Sequence, residues 1–294
     1  MTGGERAAIA EGERVGSLHV LVPPRAIASG AGGARISRRA GGSLEFRDHR
    51  DYEPGDDLRH LDWSVFARSD RLTVKQFHEE ISPFVEIVVD GSRSMSLVNT
   101  RKSEATLAIA AMLAAAAINS GFPYALSIAR DRLHRVASGS ARPSSWDPIA
   151  FDYAGTPASA IASGARTLRP MSMRFFISDL LWPGEPQAVA AALAQDATAT
   201  VIVQVLASED ANPDLRGGWR VLDVESGEWR EIFFDAAAAA QYRDALSRLR
   251  ELWDEAARYA RAIVTRCVAE EVEEKLLFDD LAAAEILRPA WSRS

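Results

Sequence analysis

The stretch FVEIVVDGSRSMSL, residues 84–97, decides how the rest of the chain is read. An apolar strand runs into Asp90, a glycine follows, and Ser92 and Ser94 come next at a spacing of two. In an open parallel sheet, ligands bind beyond the carboxyl ends of the strands. Asp90 stands at such an end. Gly91 permits a tight turn, and the two serines lie on the loop before the next helix, where they can point back toward the carboxylate.

Outward from this stretch, strands and helices alternate. KSEATLAIAAMLAAAAIN reads as a helix apolar on several faces, hence mostly buried. YALSIAR reads as a strand and LHRVAS as a short edge strand. PASAIASGARTL and QAVAAALAQ are helical, and MRFFISDLL and ATVIVQVLA are strands. Short links between alternating elements predict an α/β fold, a mostly parallel, doubly wound central sheet covered by helices on both sides. A hairpin is expected near 218–234, turning at Ser226-Gly227. After it comes a helix over about 236–260 with a stripe at Tyr242, Leu246, Leu249, Trp253, Ala256 and Ala260. RAIVTRC is a last strand and LLFDDLAAAEIL a closing helix. Upstream, residues 1–34 read as a poorly ordered lead-in with a short strand at LHVLVP. Residues 35–82 form a preface dense in both charge signs and in aromatics, with RLTVKQF as a strand. Residues 83–294 make up the α/β domain.

Of the 294 residues, 47% are hydrophobic and 26% charged, ordinary values for a globular protein, and the net charge of −7 argues against a general nucleic-acid binder. A lone cysteine, Cys267, allows no intrachain disulfide and reads as a small buried hydrophobe. The first residues lack the apolar core of a secretory signal. The longest apolar run, residues 105–118, is too short to span a bilayer. The expectation is a cytoplasmic protein without membrane insertion.

Asp90, Ser92 and Ser94 converging on one point make a site of hard oxygens suited to Mg²⁺, with positions left open. Aspartate and serine after a strand also serve as helix caps and turn formers. Two further loops favour the site. A second apolar strand ends on Ser178-Asp179, and Thr156 follows a glycine just before a helix. The alternating pattern puts both on the sheet edge of Asp90.

Asp90-x-Ser92-x-Ser94, then Thr156, then Asp179, resembles the metal-ion-dependent adhesion site of von Willebrand factor type A domains. The resemblance covers residues 84–267 and implies a Rossmann-like sheet. It also implies Mg²⁺ (or Mn²⁺ or Ca²⁺) held by Asp90, Ser92 and Ser94, with Thr156 and Asp179 completing the shell directly or through water. A partner's acidic side chain would supply the open ligand. In the preface, Arg47, Tyr52, Gly55-Asp56, Arg59, Asp62-Trp63, Ala67-Arg68, Leu72 and Phe77-x-x-Glu80 resemble the signature of the domain-of-unknown-function 58 family, with Leu61 where isoleucine is usual. Such proteins are often encoded beside MoxR-type AAA+ ATPases, which implies that ATPase or its client as partner, in chaperone-like or complex-assembly work.

Within the preface, Arg47, Asp56, Arg59, Asp62 and Arg68 are read as a paired network, arginine suiting bidentate forks to carboxylates. Trp63 is read as a buried anchor. The rival reading makes this set a partner-binding surface. For the whole chain the expectation is a metal-dependent protein-interaction module and not an enzyme. The alternatives are a Mg²⁺-dependent phosphohydrolase and a metal-free scaffold. Against the hydrolase, Ser92 stands where aspartyl phosphotransferases carry a second aspartate, and no P-loop, G-x-S-x-G or dinucleotide fingerprint is present.

Overall fold

The strand FVEIVVD carries apolar side chains on both faces, and each face meets its own core. Val85, Ile87 and Val89 enter one cluster and Val88 the other. The structure, a computed structural model, describes residues 1–23, 44–53, 56, 61–79, 83–213, 216–224, 227–272, 276 and 279–291, with the backbone alone at 44–50 and 75–79. The chain divides into two units, Met1–Ala26 with Pro83–Ser294, and Ile27–Ser82.

In chain order the first unit begins with helix α1 (Gly3–Gly16) and strand β1 (His19–Leu21). The second unit supplies β2 (Leu44–Asp51), α2 (Trp63–Ser69) and β3 (Thr73–Glu79). The first unit resumes with β4 (Phe84–Asp90), α3 (Lys102–Asn119), β5 (Tyr124–Ala129) and β6 (Leu133–Gly139). Then follow α4 (Ala158–Gly164), β7 (Ser172–Ser178), α5 (Pro186–Ala194), β8 (Ala199–Leu206) and α6 (Ser208–Ala211). The chain continues through β9 (Gly217–Leu222), β10 (Trp229–Phe234), α7 (Ala236–Ala260), β11 (Ile263–Val268), α8 (Asp279–Ala283) and β12 (Leu287–Pro289).

Six strands form the central sheet in the order β11-β8-β7-β4-β5-β6. All neighbours are parallel except the edge strand β6, which runs antiparallel to β5. Helix α3 covers one face, packing its leucines, alanines and Ile109 against Ile87, Val89 and Phe175. Val189 and Leu193 of α5 and Trp253 of α7 cover the other, against Val88, Phe176 and Ile202. From β4 the chain proceeds to β5 on one side, while β7 lies on the other. The gap beyond the ends of β4 and β7 is thus the point where strand order reverses, the usual crevice for a ligand in such sheets.

The lead-in departs from expectation. Residues 3–16 are helical and β1 pairs with β12, so this part of residues 1–34 is built into the first unit. Thr2 and Glu5 form a reciprocal cap, Thr2 N donating to Glu5 Oε2 at 2.7 Å and Glu5 N to Thr2 Oγ1 at 3.1 Å. Glycine then lets α1 lie against α3. A Cβ on Gly12 would stand 2.1 Å from the Ala108 carbonyl oxygen, and one on Gly16 2.2 Å from that of Met112. Residues 24–43 lie outside the described residues.

The closing helix is also shorter than expected. Among the described residues of that stretch only Asp279–Ala283 is helical, and Leu287–Pro289 leaves it to pair with β1. No helix among the described residues is long and apolar enough to cross a membrane.

In the second unit, β2 and β3 pair antiparallel, and a short helix not read from the sequence begins at Trp63. Asp62 caps it, Oδ1 accepting from Ser64 N at 2.9 Å and Val65 N at 3.2 Å. This placement overturns the buried anchor: Trp63 occupies the first helical position, 62% exposed, edge-on to Phe66. Asp56 accepts from Glu53 N at 2.9 Å, and Arg68 Nε donates to the Ser64 carbonyl at 3.0 Å. The Arg47 side chain and Arg59 lie outside the described residues.

Candidate functional site

At the end of β4 the Asp90 carboxylate is buried, and its two oxygens are used separately. Oδ1 accepts from Ser92 N at 2.9 Å, closing the turn over Gly91, and Oδ2 accepts from Ser178 Oγ at 2.6 Å. Ser178, the last residue of β7, is itself pinned, its oxygen accepting from Leu180 N at 3.0 Å and from the Trp182 indole at 3.1 Å. Trp182 in turn stands edge-on to Trp253 of α7, ring centres 5.5 Å apart. Burial, then the charge of Asp179, pushes the Asp90 carboxyl up to about 7, against the opposing pull of the serine donors.

The Ser92 and Ser94 hydroxyl oxygens lie 3.0 Å apart. Oxygens at about 2.0–2.1 Å around an octahedral Mg²⁺ are separated by about 3.0 Å along an edge, so the spacing fits two neighbouring ligands of such an ion. The loop is further fixed by an isolated bridge to Tyr153, which donates to the Gly91 carbonyl at 3.1 Å and accepts from Arg93 N at 3.1 Å. Thr156, three residues after Tyr153 and two before α4, is partly buried. Thr156 makes no side-chain hydrogen bond among the described residues. Arg93, between the two serines, is exposed, and its guanidinium meets the Asp152 carbonyl at 3.3 Å.

Asp179 belongs to the same crevice, but its charge is matched from within. Lys102, the first residue of α3 and 1% exposed, places Nζ 3.0 Å from Asp179 Oδ2 and 2.9 Å from Asp210 Oδ2. Burial pulls the Lys102 ammonium down, but Asp179 and Asp210 together outweigh it and hold its pKa above the ordinary value. A cation at a helix N-terminus opposes the macrodipole, so these two carboxylates keep it there. The other Asp179 oxygen accepts from Leu181 N at 3.1 Å, and Gln204 Nε2 donates to the Asp179 carbonyl at 3.0 Å. Leu180, between them, adopts a left-handed φ of 58° although buried, a strained backbone of the kind found where geometry is held for function.

Lys102 and Asp210 were not singled out from the sequence. Their signal was present: Lys102 and Glu104 are the only charged residues of α3, and Lys102 sits at the end facing the carboxyl edge of the sheet. Among the described residues no three His, Cys, Asp or Glu side chains are grouped to hold a metal. A cation here would rely on hydroxyls together with Asp90. Cys267 lies off the site, and burial pushes its thiol up to about 12.

A family model described as "Protein of unknown function DUF58" matches residues 48–252. The uncharacterized protein Rv1480 of Mycobacterium tuberculosis is 30% identical over 225 residues, covering 68% of this chain and 69% of that one, and Mb1516 of Mycobacterium bovis matches equally. Among solved structures, BatB from Bacteroides thetaiotaomicron aligns with a TM-score of 0.38 at 13% identity, over 69% of this chain and 98% of that chain. An aerotolerance-related membrane protein from Bacteroides fragilis gives 0.36 at 15%, over 66% and 96%.

Proposed function

The chain belongs to the DUF58 family, and on that premise we propose that it is a divalent-cation-dependent protein-interaction module with a von Willebrand factor A-like site. Asp90, Ser92 and Ser94 would hold Mg²⁺, or Mn²⁺ or Ca²⁺ in its stead, with Thr156 and Asp179 in the outer shell. The observation that carries this reading is the Asp90 carboxylate. It is fully buried, its donors are an amide and a hydroxyl, and the charge that acts on it is that of the Asp179 carboxylate. A buried carboxylate so placed is costly to ionise without a cation. The Ser92 and Ser94 hydroxyls, 3.0 Å from each other, supply what a small hard ion needs.

The ion supplies an open coordination position for a visiting carboxylate. The chain's own residues supply the rest. Ser178 orients Asp90, Lys102 spares the crevice the full charge of Asp179, and Arg93 presents an exposed guanidinium to an acidic visitor. The partner is a MoxR-type AAA+ ATPase or its client, a reading that rests on the family resemblance alone.

Isothermal titration of the full chain with Mg²⁺ and Mn²⁺ tests the first half of the proposal. Saturable heat lost in Asp90→Asn is expected, and no heat would leave a metal-free scaffold. A pull-down with a MoxR-type AAA+ ATPase, with and without EDTA, tests the second half. Capture unaffected by both EDTA and Asp90→Asn overturns it.

A further inference from the structure

The hairpin β9–β10 carries a face that nothing among the described residues covers. Its register pairs Leu222 with Trp229, Arg220 with Glu231 and Gly218 with Phe233, and these cross-strand pairs share one side of the ribbon. Every one of them is exposed, Phe233 at 71% and Trp229 at 57%. The base is anchored, since Phe234 is buried and Asp235 caps α7 by accepting from Ala238 N at 2.8 Å. A two-stranded ribbon with an uncovered aromatic face is marginal by itself and gains from cover.

The pattern on that face is its own complement. A two-fold axis running along the strands and midway between them turns each residue onto the cross-strand partner of its mate. Arg220 then meets Glu231 of the second copy, Leu222 lies over Trp229, and Phe233 lies over Gly218. Space exists for that ring, because nothing stands within 4 Å of where a Gly218 side chain would begin. The charges are free to pair: the Arg220 guanidinium rests 4.8 Å over the Trp229 ring, and neither Arg220 nor Glu231 forms an ion pair among the described residues. Acids outnumber bases across residues 217–234, which argues against an anionic lipid surface as the cover.

We infer that this face is an isologous contact between two copies of the chain, the ribbons stacking as a small two-layer sandwich. The ribbon is only about 20 Å long, well short of a standard-size interface, so the dimer forms in the micromolar range and dissociates on dilution.

Sedimentation velocity of the full chain from low to high micromolar concentration reads this directly, with circular dichroism as a check on folding. A reversible monomer–dimer equilibrium is expected. Phe233→Asp shifts it at least roughly tenfold toward monomer. Arg220→Glu and Glu231→Arg each weaken it through like charges, and the double swap restores it. A chain that stays monomeric throughout overturns the inference. So does a dimer indifferent to Phe233→Asp, or single swaps that weaken association without rescue by the double.

Discussion

Lys102 Nζ and Asp179 Oδ2 lie 3.0 Å apart, joined across 77 positions of sequence and both 1% exposed. The pair ties the start of α3 to the end of β7 beneath the candidate cation site. Removing one member leaves a buried charge without its counter-ion, which costs about 3–5 kcal/mol. Lys102→Met is expected to lower unfolding free energy by that order in a urea titration. Adding Asp179→Asn to the same chain restores part of it. A Lys102→Met loss below about 1 kcal/mol, within the range of exposed pairs, would show the pair to be solvent-relaxed.

The Asp90 carboxyl, pushed from the ordinary 3.8 up to about 7, makes metal-free stability depend on pH. Between these values the folded chain keeps a proton that the unfolded chain releases. Stability is therefore greatest at the acid end of this window and falls as pH rises through it. In EDTA, Tm is expected to drop between about pH 5 and pH 7.5, and Asp90→Asn flattens that slope. Equal slopes in the two proteins would refute the assignment.

Cation affinity follows from the same carboxyl with opposite sign. A proton on Asp90 competes with Mg²⁺, so affinity rises with pH up to about 8. At the proposed site, Ser94→Ala would remove an oxygen donor to the ion. Its expected effect is no smaller than the roughly 10–100-fold lost with an outer-shell partner. Calorimetry at two pH values measures both effects. Affinity independent of pH would separate the ion from Asp90.

Close approach of α1 to α3 gives a contrast between glycines. Gly12→Ala drives a methyl into the Ala108 carbonyl and costs about 1–3 kcal/mol as overpacking. Gly3 has open space around it, so Gly3→Ala is neutral or gains up to about 1 kcal/mol. Thermal melts of the two variants distinguish them. Equal effects would place α1 away from α3.

Where local pattern and tertiary packing agree, the sequence was legible. Helix α3 runs over the same eighteen residues read as a buried helix, KSEATLAIAAMLAAAAIN, and α7 spans its predicted stripe. Helix α1 was hidden because Gly3, Gly4, Gly12 and Gly16 depress helix propensity, and α3 rewards those at 12 and 16 by close contact. The closing helix stops early because Leu287–Pro289 find a partner in β1, a pairing no local window reveals. Trp63 is exposed because Asp62 starts a short helix there, a cap signal outweighed in reading by the size of the ring. In the crevice, Ser92 contacts both the Asp90 carboxylate, through its amide, and the Ser94 hydroxyl. Lys102 and Asp210 were obscured because their partners come from elements far apart in sequence.

The antiparallel ribbon in which Val20 faces Arg288 bears on the order of assembly. Its first half is synthesised first and must wait until residues 287–289 follow before its mate exists. Pairing across such a span is slow. The ribbon is thus a late stitch, made after translation has passed every strand of the central sheet, and a nascent chain stalled before residue 287 carries β1 as an exposed edge.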